Sequence, residues 1–279
     1  MLFIRFLLCF SWIMAYGPGP ACSQDIQLSG SVQAQDSRHP LPFVNIGIRG
    51  KNTGTVADED GRFTLRIPAA RAHDTLTFSA IGYQERAFPL AQLTAAQLQP
   101  VLLTEKATAL AEVVVRGRAQ KVHRVGTTSH NPLLWGSVRN KDSHDINEFA
   151  KLISLGPRPG QLEQVHIFLR RPTVDTVTFR LNFYCAADGQ PGERLVEQTI
   201  LVRTASQNGW LTIDLTKYAL TLQGDIYLSF EFLPEKASAA PAFSYGAQFG
   251  GAALVRTSSL GTWRREPGAT LAAYVTVRQ

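Results

Sequence analysis

Cysteine is scarce in this chain. The 279 residues hold three, Cys9, Cys22 and Cys185. The first two fall in a leader expected to be removed, so no internal disulfide can form in what remains. Cys185 follows Val177, Phe179, Leu181 and Phe183 in one parity of a strand pattern, so it is expected to turn inward as an inert thiol. Long apolar runs are missing as well. The run over residues 6–15 is far shorter than the roughly 20 residues a membrane-spanning helix needs. There is no Gly-x-Ser-x-Gly elbow and no His-Glu-x-x-His. His39, His73, His123, His130, His144 and His166 lack ligand spacing with acids or cysteines. Ser143-His144-Asp145 holds triad residue types, but adjacent residues on one backbone cannot form the relay. Asp58-Glu59-Asp60-Gly61 is followed by Arg62-Phe63-Thr64-Leu65 and lacks the closing glutamate of a calcium loop. No catalytic, cofactor-binding or metal-ligating residue is therefore assigned, and the chain is not expected to be an enzyme.

Charge is moderate, with 18% charged residues, 44% hydrophobic residues and a net +6. That is ordinary globular material with room for two modest domains. Arg116, Arg118, Lys121, His123 and Arg124 cluster without interleaved aromatics. Nucleic-acid binding therefore has no support, and 116–124 reads as a solvated basic linker that could also meet an anionic surface or glycan. At the N-terminus, Arg5, the apolar run and Ala21-Cys22-Ser23 read as a secretory signal peptide over 1–23, cleaved before Gln24. Lipidation of Cys22 is the alternative, but Gly19-Pro20-Ala21 lacks the aliphatic residue usual three places before a lipidated cysteine. The expectation is export to the periplasm, the outer-membrane surface or the exterior, with no transmembrane span in the mature chain.

The clearest pattern present is period two. Leu41-Pro42-Phe43-Val44-Asn45-Ile46-Gly47-Ile48 and Phe63-Thr64-Leu65-Arg66-Ile67 alternate as half-buried strands do. Between them, Gly54-Thr55-Val56-Ala57-Asp58-Glu59-Asp60-Gly61 leads a short strand into a tight turn in which Gly61 is expected at positive φ. Residues 26–34 and 74–83, together with Val101-Leu102-Leu103 and Val113-Val114-Val115, add further strands, giving an all-β sandwich over 24–115.

In order, Gly30-Ser31-Val32, Leu41-Pro42-Phe43-Val44-Asn45-Ile46, the 54–63 stretch, Asp74-Thr75-Leu76-Thr77-Phe78-Ser79-Ala80-Ile81-Gly82-Tyr83 and Leu110-Ala111-Glu112-Val113-Val114-Val115 resemble the carboxypeptidase regulatory-like domain of the Bacteroidetes type. The resemblance implies a transthyretin-like, Ig-like β-sandwich, an exported location and an accessory role at the N-terminus of TonB-dependent receptors. It does not imply peptidase activity. Glu112-Val113-Val114-Val115 resembles the segment before the plug of such receptors, but the 164 residues that follow are too few for a large barrel.

Residues 125–279 read as a second β domain. Strands are expected over 162–169, 176–185, 199–202, 209–215, 225–232 and 270–277. Residues 145–153 suit a helix or a strand and are taken as a strand. About eight strands in long antiparallel runs suggest a jelly roll. The phrases around 179–185, Pro191-Gly192 and Gly209-Trp210 are loosely similar to jelly-roll modules of exported proteins, which include carbohydrate-binding and adhesion types. Trp135, Trp210, Tyr218, Tyr227, Tyr245 and Trp263 could stack on sugars. Trp263 with Arg264 and Arg265, at an expected hairpin tip, is the candidate ligand site. The functional expectation is a non-enzymatic interaction or structural protein of the envelope, its partner an envelope protein. The alternative is a carbohydrate-binding module.

Overall fold

The computed structural model describes residues 25–93, 98, 100–106, 120–139, 145–170, 176–205, 207–233 and 241–279. The expected signal peptide, the strand at 113–115 and the linker up to residue 119 lie outside these residues. Among the described residues no helix is long and apolar enough to cross a membrane. The fold is all-β, as expected.

Seven strands build the first sandwich: β1 (Ile26–Ala34), β2 (Asn45–Ile48), β3 (Thr53–Val56), β4 (Arg62–Ile67), β5 (Thr75–Ser79), β6 (Arg86–Pro89) and β7 (Val101–Leu103). One sheet runs β4-β1-β7 and the other β3-β2-β5-β6. Alternation decides which side chains fill the space between them. In β4, Phe63, Leu65 and Ile67 are buried and the residues between them exposed, and they meet Val32, Ile46 and Phe78 in one core.

The 58–61 turn forms as the sequence predicts. Asp58 Oδ1 accepts the Asp60 and Arg62 amides at 3.0 and 2.8 Å, and Gly61 has φ +72°. It is not a hairpin, however. β3 pairs with β2 and β4 with β1, so the turn carries the chain from one sheet to the other.

Thirteen strands follow: β8 (Val122–Gly126), β9 (Trp135–Arg139), β10 (Asn147–Ser154), β11 (Gly160–Arg170), β12 (Thr176–Ala187), β13 (Gln190–Arg194), β14 (Ile200–Ala205), β15 (Gly209–Asp214), β16 (Thr221–Leu222), β17 (Asp225–Phe232), β18 (Pro241–Arg256), β19 (Arg264–Leu271) and β20 (Ala273–Arg278). They form two facing layers. A front layer is built on β12, β17, β10 and β19, and a back layer on β15, β11, β20 and β8. The long β18 joins both, pairing β11 near Tyr245 and β10 near Leu254. Phe179, Phe183 and Phe230 from the front pack on Val165, Ile167 and Val275 from the back. Each of these fully buried phenylalanines contributes up to about 3 kcal/mol by transfer from water.

Three sequence expectations change here. Residues 122–124, assigned to the linker, are part of β8 and pair with β20. The strand expected over 270–277 is broken at Ala272, a buried corner whose amide bonds to Gly246 O, so that β19 and β20 serve different layers. Cys185 is half-buried rather than in the core, its Sγ receiving the Glu193 amide at 3.2 Å under the β12–β13 hairpin.

Candidate functional site at the domain junction

The strand alternation that sends Phe149, Phe179, Leu181, Phe183 and Phe230 into the core sends Glu148, Arg180, Asn182, Tyr184, Ser229 and Glu231 to the opposite face of the front layer. Such a face is ordinarily wet. Here it is covered, and both glutamates have no exposed surface.

Each of these side chains finds at least one partner, although Asn182 Oδ1 is buried without one. Arg180 grips Glu231 with two donors, Nε to Oε2 and Nη2 to Oε1, each at 2.8 Å. Asn182 Nδ2 bridges the two carboxylates, 2.8 Å from Glu231 Oε2 and 3.0 Å from Glu148 Oε1. Glu148 also accepts from Tyr184 Oη at 2.9 Å, Ser229 Oγ at 2.6 Å and Arg256 Nε at 3.0 Å.

Burial by itself would raise the Glu231 carboxyl. The Arg180 guanidinium, helped by Arg256 and Asn182, reverses this and holds it well below the ordinary glutamate range. The Tyr184 hydroxyl is pushed up to about 12 by burial and by the charge of Glu148. Arg194, whose guanidinium lies over the Tyr184 ring at 5.6 Å, joins Arg180 and Arg256, so three guanidiniums surround two carboxylates and the cluster carries one positive charge in excess.

The first sandwich supplies the cover. Asn45 of β2 donates from Nδ2 to Glu231 Oε1 at 3.0 Å, while its Oδ1 accepts from Ser259 Oγ at 3.2 Å. Phe43 O accepts from Arg180 Nη1 at 3.0 Å. Phe43 has φ +56°, a left-handed conformation that is unusual without glycine. Its ring packs beside Val56, Ile146 and Leu233, a small apolar cluster drawn from both domains. Gly47 and Gly54 let the β2–β3 hairpin lie flat, because a Cβ there would stand 2.5 and 2.8 Å from Ser259 O. Asp145 Oδ1 holds the Ser259 amide at 2.9 Å from the other side. Asn52 Oδ1 accepts the Thr262 amide at 2.9 Å, and the Gly50 amide donates to Leu260 O at 2.9 Å. On another flank, Glu197 accepts from the Gly82 amide at 3.1 Å and from Lys106 Nζ at 2.8 Å.

The β18–β19 connection is thus a wedge between domains, not a free tip. Trp263 is half-buried, its ring under the Arg256 guanidinium (4.6 Å) and edge-on to Tyr184 (6.1 Å). Arg264 is exposed and paired with Glu266 at 2.6 Å, and Arg265 is exposed. Trp263 packs against Tyr184, Tyr227 and Leu254, Arg265 stands opposite Leu254 in the β18–β19 ladder, and Arg264 takes the other face of β19.

The residues that do converge were invisible as a site in the sequence. Asn45 lay in a recognised motif without a distinguishing signal. Glu148 and Glu231 occupy positions that alternation assigns to solvent.

The molecule is therefore an all-β protein in which a small N-terminal sandwich is docked on a larger one through a buried polar junction. Residues 28–115 match the CarboxypepD_reg-like domain. Over 100 residues, 36% of this chain, it is 36% identical to the TonB-dependent receptor SusC of Bacteroides thetaiotaomicron, and that stretch is 9% of the receptor. Over 112 residues it is 30% identical to the TonB-dependent receptor P39 of Formosa agariphila, covering 38% of this chain and 10% of that protein. The chain spans about a tenth of the length of these curated relatives. Among solved structures, the clostridial cysteine protease Cwp84 after propeptide cleavage aligns with 89% of this chain and 61% of its own. At 6% identity and a TM-score of 0.42, that likeness carries no functional argument.

Proposed function

We propose that this protein is a non-enzymatic interaction or structural component of the cell envelope. Its CarboxypepD_reg-like sandwich acts as an accessory domain of the kind found on TonB-dependent receptors, and its jelly-roll-like second sandwich presents the binding surface. The observation that carries this reading is the junction. Hydrogen bonds donated by Asn45 and Gly82 and accepted by Phe43 and Asn52 tie the first domain to the second at several separate points, so the accessory domain holds its neighbour in a fixed orientation.

The same geometry supports a non-enzymatic role. Glu148 and Glu231 approach each other, as a pair of acid–base carboxylates would, but both are sealed from solvent. Glu231 is held ionised by Arg180, so it cannot deliver a proton at neutral pH.

The reading is tested by tagging the full chain in a bacterium that carries it and cross-linking before membrane fractionation. Co-isolation with a TonB-dependent receptor in the outer-membrane fraction is expected. Recovery in the cytosolic fraction, or in the envelope with no receptor cross-link, would overturn it.

A further inference from the structure

One end of the outward face of the back layer is aromatic, whereas the other carries the polar residues usual there, among them Thr212, Asp214, Thr276 and Arg278. In β11, Val165, Ile167 and Leu169 enter the core, which turns His166, Phe168 and Arg170 outward. Neighbouring strands add Trp210, Tyr274 and Trp135 to the same side. Trp210 stands edge-on to Phe168 at 5.5 Å and to Tyr274 at 5.1 Å. His130 lies flat on Phe168 at 3.7 Å, and His166 on Tyr274 at 4.1 Å.

Trp135 sits opposite Gly246 across the β9–β18 ladder. Gly246 is needed there, since a Cβ would fall 2.9 Å from the Phe168 ring. Trp210, Phe168, Gly246 and Trp135 thus occupy four successive strands, a row of about 14 Å at the usual interstrand spacing. The row is open to solvent at its two ends, while His130 fills the middle, stacked on Phe168 with its Cβ 3.3 Å from where a Gly246 Cβ would stand. Trp135 is 52% exposed, and Phe168 and Trp210 are half-buried.

Cations flank the rings. Arg170 lies over Trp135 at 4.9 Å and Arg124 over Tyr274 at 5.5 Å. His166 is fixed between the hydroxyls of Thr212 and Thr276, each at 3.0 Å. Burial, then the charge of Arg124, lowers its pKa, so at neutral pH it is a polar anchor rather than a further cation. Asp214, farther along β15, is turned onto Thr216.

We propose that this face binds an extended acidic polysaccharide, its sugar rings packing along the row from Trp210, across His130, to Trp135 and its carboxylates or sulfates meeting Arg170 and Arg124. Locked rings with polar groups between them present apolar area at little entropic cost, as ligand sites do. The row is several strands wide, which suits a chain of sugars rather than one. The Trp210 ring stands at 83° to Phe168 and 67° to Tyr274. That arrangement offers edges and notches rather than the parallel faces on which successive nucleobases stack.

The test uses the full purified chain in affinity electrophoresis against alginate (carboxylate), dextran sulfate (sulfate), dextran and laminarin (neutral), polyglutamate and single-stranded DNA. Retardation by one or both acidic glycans alone is expected, and the alginate and dextran sulfate arms say which anion is read. Trp135→Ala and Arg170→Gln should each weaken it by about tenfold or more, as for an aromatic or arginine anchor at a recognition surface, with circular dichroism confirming the fold. Trp263→Ala should leave retardation unchanged. No retardation by either acidic glycan, equal retardation by polyglutamate or DNA, or retardation that survives both Trp135→Ala and Arg170→Gln would each overturn the proposal. None of these outcomes depends on whether a receptor co-isolates.

Discussion

Replacing Glu231 by glutamine removes one charge and little volume, yet it should be among the most damaging changes in the second sandwich. Glu231 receives four donors: two from Arg180, one from Asn182 and one from Asn45. A glutamine amide turns one acceptor into a donor, and since each Glu231 oxygen accepts two of the four, two of these contacts become donor against donor. The Arg180 side chain keeps its charge with only 4% exposure. Leaving a buried charge uncompensated costs about 3–5 kcal/mol. For a domain of this size that is a fall in Tm of roughly 6–20 °C. Glu163→Gln, which breaks an ion pair to Arg278 whose partners are 18% and 44% exposed, is the control and should cost about 1 kcal/mol or less. The assay is thermal and urea unfolding followed by circular dichroism.

The pH dependence has a fixed sign. The folded carboxyl lies below the ordinary glutamate value of 4.5, so the unfolded chain binds the proton first as pH falls. Stability from this group is complete above about pH 5 and declines as pH drops through and below 4.5. Glu231→Gln should flatten that part of the profile. A Glu231→Gln protein that melts within 2–3 °C of the parent (roughly 1 kcal/mol), or that keeps the same acid limb, would refute the reasoning.

Three further outcomes follow from single positions. The Lys151 amine, buried and bonded to Thr127 and Thr270, is brought down to about 8 from 10.5 by desolvation. An NMR titration of the methylated amine should place it there, and native stability should rise between pH 8 and 10.5, because the unfolded chain holds the proton longer. Phe43→Gly should be more stable than Phe43→Ala by about 1 kcal/mol in urea midpoints, the reverse of the usual order, because only glycine relieves the left-handed backbone. Gly47→Ala should lower stability by about 1–3 kcal/mol, since its Cβ cannot coexist with Ser259 O at 2.5 Å.

Alternation made most of the fold readable. Strands β11, β12, β15 and β17 stand where period two puts them, because each has one face in a core and a sequence with enough large apolar residues to say which. β18 escaped because Gly246, Gly250, Gly251 and its alanines dilute the pattern, and no local signal says that one strand must serve two layers. The junction escaped for a different reason. In Asp-Ile-Tyr-Leu-Ser-Phe-Glu-Phe the position of Glu231 is correctly read as facing away from the core. What covers that face comes from Asn45, 186 residues earlier. The exposure expected of Trp263 changed by the same route, since a loop that looks like an exposed tip becomes a wedge once another domain lies against it.

The two sides of the junction are not equivalent. Arg180, Asn182 and Glu231 belong to one sheet and keep one another when the first domain departs. Water could then replace Asn45 and Phe43 O at little cost, because hydrated ions need no cover. Undocking should therefore leave the second sandwich folded. Damage from the N-terminal side and damage within the front layer then predict different curves. Gly47→Ala should split unfolding into two transitions, the upper one close to that of the intact second sandwich. Glu231→Gln should lower that upper transition itself. One shared transition, displaced equally by both substitutions, would mean that the junction is part of a single cooperative core, and that the N-terminal sandwich is required for the second domain to fold rather than docked on it.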